Sequence, residues 1–147
     1  MNPSKPVTSP IAVHDVSRHA SACLASDAAT TERSADVSST WAAMQNANPD
    51  HSKNIRETIT PADDPHQAQP YLASLIAQHC DVIITVGPTF GRAIPLLGKA
   101  NSADQFVAVD SSLTAPPPNT KLLSGSTADS AIADIVQSLT DGSAAHT

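Results

Sequence analysis

Large side chains are scarce in this chain. Only Trp41, Tyr71, Phe90 and Phe106 are aromatic, and alanine supplies much of the 40% apolar content. Any core must be small and built from short aliphatics. Basic residues are few as well: 8 Lys and Arg stand against 14 Asp and Glu, a net charge of −6. That balance argues against a nucleic-acid surface or an anionic-membrane surface. No apolar run reaches the roughly 18 residues of a membrane span, so none is expected. The N-terminus, MNPSKPVTSPIAVHDVSRHASAC, lacks the apolar stretch of a signal peptide. Ala20-Ser21-Ala22-Cys23 has the look of a lipoprotein cleavage site, but without that stretch the match reads as coincidence. The chain is expected to be cytoplasmic, or secreted with its leader removed.

Chemical motifs are missing too. Gly87 and Gly91, separated by PTF, do not make the three-glycine fingerprint of a dinucleotide site, and no Walker loop is present. The histidines at 14, 19, 51, 66, 79 and 146 form no HxH or HExxH pairing, so no metal site is expected. No serine sits in a GxSxG elbow. Neither a cofactor nor covalent catalysis is indicated, and the chain is read as a non-enzyme.

What is there is an alternation of short apolar runs with helical patterns, at a length of 147 residues that suits one domain. Residues 1–19 read as a flexible arm, 20–139 as a single α/β lobe and 140–147 as a frayed tail. Ser21–Ser26 is a short strand ending at Asp27, and residues 28–36 read as loop. Val37, Trp41 and Met44 then mark one face of a helix that stops near Asn48-Pro49. Lys53–Thr58 suits a polar edge strand. Pro70 suits a first helical position, with Leu72, Leu75, Ile76 and His79 tracing the buried face. Asp81–Val86 is the clearest strand, continuously apolar as in a parallel sheet covered on both faces. Thr89–Ala100 should be helical, kinked or late in starting because Pro95 lies within it. Gln105–Val109 and Lys121–Ser124 are further strands. Ser126 and Asp129 then cap a helix whose face is Ile132, Ile135, Val136 and Leu139. The fold class is α/β, a flavodoxin-like doubly wound parallel sheet of four to five strands in the order 2-1-3-4-5, with helices on both faces.

In such sheets ligands lie beyond the carboxyl ends of the strands, near the switch between strands one and three. That rule selects Asp27, the turn Gly87-Pro88-Thr89-Phe90, and Asp110-Ser111. The turn offers amide donors and the Thr89 hydroxyl to a polar ligand. A simpler account also fits: Gly87 permits a tight turn and Pro88 starts a helix. A phosphorylatable receiver is excluded, because Asp81 is at the wrong end of its strand and position 87 is glycine. The two cysteines, Cys23 and Cys80, fall at the starts of strands that this order makes neighbours, about 4.8 Å apart. The favoured account is a Cys23–Cys80 disulfide at the amino-terminal edge, which would imply an oxidising compartment; the alternative is two buried thiols.

The stretch CDVIITVGPTFGRAI followed by QFVAVDSS resembles the strand–turn–helix–strand core of the basic membrane protein (PnrA-like) family of substrate-binding lipoproteins. ITPADDPHQAQPYLASLIAQHC, STWAAMQNA and ACLASD are similar to the segments around it. The resemblance covers roughly residues 21–139 and only the N-terminal lobe of a two-lobed fold. It implies a type 1 periplasmic-binding-protein lobe of ABC transporters, often for nucleosides, in an extracytoplasmic setting. Asp27 matches the family's acidic residue after strand one, and Asp110 its aspartate ending strand four. The chain departs from the pattern in DAATTERSADVSS, which has no base-stacking aromatic before Trp41, and around Arg92, where the family often has an acidic residue. Two functions are therefore carried forward. One is a small-molecule binding lobe that needs a partner lobe or a homodimer. The other is a degenerate lobe serving a structural or protein-interaction role.

Overall fold

The structure is a computed structural model and describes residues 19–124 and 127–139. The expected arm up to residue 18, the tail and the Ser126 cap lie outside the described residues. The elements run β1 (Ser21–Asp27), α1 (Ala28–Arg33), α2 (Asp36–Asn46), β2 (Asn54–Thr60), α3 (Pro65–Ala77) and β3 (Val82–Val86). They continue with α4 (Pro88–Gly91), α5 (Ile94–Ala100), β4 (Phe106–Val109), β5 (Thr120–Leu123) and α6 (Ala128–Ser138). The five strands form one all-parallel sheet in the order β2-β1-β3-β4-β5, as the residue pattern predicts.

Alternate residues of each buried strand face opposite layers, which is why the strands read as unbroken apolar runs. On one face Leu24, Ile84, Val86, Val107 and Val109 meet Val37 and Met44 of α2 and Ile132 and Val136 of α6. On the other, Cys23, Ala25, Ile83, Phe106 and Ala108 meet Leu72 and Leu75 of α3, Phe90 of α4 and Ile94 of α5. Strands β2 and β5 are the two edges, and β2 is largely exposed. Its Arg56 and Glu57 are exposed, and edge charges disfavour pairing with another chain.

Several local expectations need correction. Residues 28–33 are helical rather than loop. The Asp27 carboxylate accepts from the Thr30 amide and caps a turn that buries only Thr30, so no apolar period announces it. Helix α3 starts at Pro65, not Pro70. Asp64 accepts from the Gln67 amide while the Gln67 side chain accepts from the Asp63 amide, a reciprocal cap. Pro70 sits inside the helix on the exposed side, where water can solvate the carbonyl it leaves unbonded. His79 lies past the helix, exposed, in the left-handed region at φ 61°. The segment after β3 is two short helices, α4 and α5, with Pro95 in the first turn of α5.

Cys23 and Cys80 form a disulfide with their Cα atoms 6.0 Å apart, which closes the alternative of two free thiols. Cys23 is the third residue of β1 rather than its first, so the bridge lies within the α3-side core layer. Arg56, the β2 partner of Cys23 in register, places its Nη2 at 3.7 Å from both sulfurs. The bridge spans 57 residues of sequence. A loop of that length gives about 4 kcal/mol on the chain-entropy account. In urea unfolding, Cys23→Ala/Cys80→Ala is expected to lose about that much, and a loss below ~1 kcal/mol would show the bridge to be structurally incidental. Thr85, fully buried in β3, has a hydroxyl without a hydrogen-bond partner. Thr85→Val keeps the shape and removes that group, so it is expected to stabilise by about 1 kcal/mol in the same measurement.

Candidate functional site

Pairing of β1 with β3 runs to Ala25 opposite Thr85, and the Ser26 hydroxyl extends it by donating to the Val86 carbonyl at 2.7 Å. Beyond that point the two chains part. The chain leaving β1 passes through α1 and covers one side of the sheet as α2, while the chain leaving β3 turns to the other as α4 and α5. This divergence is the switch point, and its geometry follows from four residues: Asp27, Thr30, Gly87 and Ser111.

Asp27 is buried, and both its oxygens are engaged by one residue. The Thr30 hydroxyl donates to Oδ1 at 2.7 Å and the Thr30 amide to Oδ2 at 3.0 Å. Thr30 in turn lies directly on the β3 turn. Gly87 adopts φ +91°, and a Cβ there would stand 2.8 Å from both the Thr30 methyl and its hydroxyl oxygen. Glycine is therefore required by backbone and by contact together. Gly87 also donates its amide to the Val109 carbonyl at 2.9 Å, tying the turn to the end of β4.

Behind the turn, Gly91 closes α4 against the loop that leaves β4. A Cβ at Gly91 would meet the Ser111 Cβ at 2.3 Å and its Cα at 2.9 Å. Ser111 is buried and its hydroxyl accepts from the Leu113 amide at 3.2 Å. On either side of it Asp110 and Ser112 take left-handed conformations, at φ 51° and φ 65°. Such conformations cost energy in non-glycine residues and concentrate where surrounding structure holds a functional loop.

Two clefts open along this edge with Asp110 between them. One, of about 190 Å³, is lined by Thr30, Arg33, Ser34, Asp36, Gly87, Pro88 and Asp110. The other, of about 380 Å³, lies over the ends of β4 and β5, with Asp110, Ser111 and Ser112 facing Leu113, Leu122 and Leu123. Of the residues that the fold rule selects, the structure brings Gly87, Pro88 and Asp110 to the first cleft and Asp110 and Ser111 to the second. Asp27 lies beneath the first, sealed by Thr30. Thr89 is half-buried beside the turn. Phe90 is wholly within the core, its ring centroid 6.5 Å from that of Tyr71. Thr30, Arg33 and Asp36 went unnoticed in the sequence because 28–36 reads as loop. The aspartate three residues ahead of a threonine at 27–30 was the signal available.

Elsewhere the surface offers little chemistry. A groove of about 440 Å³ between α2 and α6 is lined mainly by alanine and serine, and the Ser39 hydroxyl closes onto the Asp129 carboxylate at 2.8 Å. Among the described residues no three His, Cys, Asp or Glu converge. No helix of the described residues is long and apolar enough to cross a membrane.

The sequence matches no protein-family model and no curated protein. Its fold is similar to that of a "putative lipoprotein" fragment from Peptoclostridium difficile 630. The TM-score is 0.70 at 22% identity, over 80% of this chain and 95% of that fragment. It is also similar to part of a transcriptional activator of the comK gene from Bacillus halodurans. There the TM-score is 0.53 at 11% identity, over 69% of this chain and only 33% of the activator. At these identities the likeness concerns the fold.

The contact of Gly91 with Ser111 sets a test of how tightly the edge is built. Gly91→Ala is expected to cost about 2–3 kcal/mol, because the added methyl meets backbone as well as side chain. Adding Ser111→Gly removes the 2.3 Å contact but leaves the one to Cα, so it should restore only part of the loss. Urea unfolding of the single and double variants measures both, and a Gly91→Ala protein of unchanged stability would contradict the close approach.

Proposed function

We propose that this chain is a non-catalytic, extracytoplasmic lobe of the solute-binding kind, whose cleft at the switch point holds a small polar ligand together with a second surface. The observation that carries the reading is the cleft itself. A glycine that tolerates no Cβ forms its floor, at the place where doubly wound sheets hold ligands, and Arg33, Asp36 and Asp110 stand around it. The similarity to the lipoprotein fragment and the core disulfide support an extracytoplasmic setting. The resemblance of CDVIITVGPTFGRAI and QFVAVDSS to the basic membrane protein family supports descent from an ABC-transporter binding protein, with nucleosides as the ligands that resemblance suggests.

The need for a second surface rests on size. A cleft of about 190 Å³ falls short of the roughly 300–1,000 Å³ of sites that bury a ligand alone. A second lobe on another chain, or a second copy, would supply the opposite wall. The non-catalytic reading follows the resemblance to binding proteins; of the two strand-end aspartates, Asp27 is buried with both oxygens engaged by Thr30, which disfavours its pairing with Asp110 in acid–base work.

A second reading is favoured by the same Thr30. Its side chain fills the space against Gly87, which suits a lobe that has lost its ligand and serves as a structural or interaction module. Thermal-shift measurement with nucleosides, sugars and amino acids separates the two. A ligand at a hundred times its Kd stabilises by about 2.7 kcal/mol, on the order of 10 °C for a chain of this size. Binding at the cleft predicts such a shift and its loss in Asp110→Asn, which keeps a residue tolerant of the left-handed backbone. No shift across the library would favour the module without a ligand.

A further inference from the structure

We infer that the switch-point cleft is built for a small zwitterion of the α-amino-acid class rather than for a nucleoside; the inference rests on the binding reading above and names its ligand. Two features of the cleft lead there. The first is volume. About 190 Å³ gives a molecule of amino-acid size room for much of its bulk within this chain, whereas a base joined to a ribose would have to lie mostly against the second surface. A purine or pyrimidine would also want a flat partner. The aromatic ring nearest in sequence to the floor, Phe90, is buried in the core, and no aromatic residue lines the cleft.

The second feature is the mixture of charge. Arg33, the basic residue of the last turn of α1, is exposed at one wall. Asp36, in the first turn of α2, and Asp110, at the end of β4, are at the same cleft. A simple anion drawn to Arg33 would meet two carboxylates, and a simple cation drawn to the carboxylates would meet the guanidinium. A zwitterion satisfies both at once: its carboxylate suits the planar fork of arginine, and its ammonium suits an aspartate. The hydroxyl of Ser34 adds a polar group, while Val86 and the exposed Pro88 supply apolar surface. A neutral sugar can hydrogen-bond to these groups but brings no charge of its own to pair with either sign.

The test uses the full chain with its disulfide intact and measures both thermal shift and calorimetric binding. The probes are glycine, alanine and serine as zwitterions, acetate and methylammonium as their single-charge halves, and uridine and glucose. The expected result is a shift of several degrees with the amino acids and little with the others. Arg33→Gln and Asp36→Asn should each weaken amino-acid binding tenfold or more. Both lie on the exposed or half-exposed surface, so their unfolding midpoints without ligand serve as the control for folding. Uridine or glucose binding in the absence of amino-acid binding would overturn the ligand class and leave the binding reading standing. An equal response to acetate would reduce the cleft to a plain anion site and also overturn the inference. Silence from every probe would remove both the inference and the binding reading beneath it.

Discussion

The structure depends on where β1 sits. It lies between β2 and β3, parallel to both, and the register that pairs Ala22 with Val82 and Ala25 with Thr85 determines what happens at each end. Near the amino end it brings Cys23 against Cys80, two residues ahead of β3. At the carboxyl end it delivers Asp27 and Thr30 onto Gly87. A slip of one residue would turn Cys23 to the opposite face and carry the Thr30 cap off the glycine. The staple and the cleft are thus two consequences of one strand pairing.

The scarcity of large side chains has its own consequence. The layer facing α3, α4 and α5 contains the row Ala25, Thr85 and Ala108, three small residues in register across the sheet centre. Small residues let the covering helices come close, which suits the complete burial of Phe90 and Ile94 above that layer. Close approach then demands glycine where helix meets loop, as at Gly91 against Ser111. It also leaves a defect, the partnerless hydroxyl of Thr85. With so few aromatic residues, a disulfide that constrains the unfolded chain carries weight that a larger hydrophobic core would otherwise provide.

The fold was legible because parallel strands buried on both faces announce themselves as continuous apolar runs. DVIITV and QFVAV do so plainly, and the segments between them have the lengths of crossovers. The site was legible only in outline. The switch-point rule led to Gly87 and Asp110, and both line the cleft. It also led to Phe90, whose ring the short helix α4 turns into the core, a direction that no local pattern encodes. It passed over Arg33 and Asp36, because α1 forms on the strength of a single side-chain cap and has no apolar stripe to show.

By itself, the sequence determined the doubly wound parallel sheet, its strand order, the low basic charge and the proximity of the two cysteines. Each of these follows from residue pattern, composition or the right-handed crossover. Tertiary structure alone decided that the cysteines are joined, that Thr30 lies on Gly87, and that charges of both signs share one small cleft. Those outcomes depend on distances of a few ångströms between segments far apart in the chain, and only packing sets such distances.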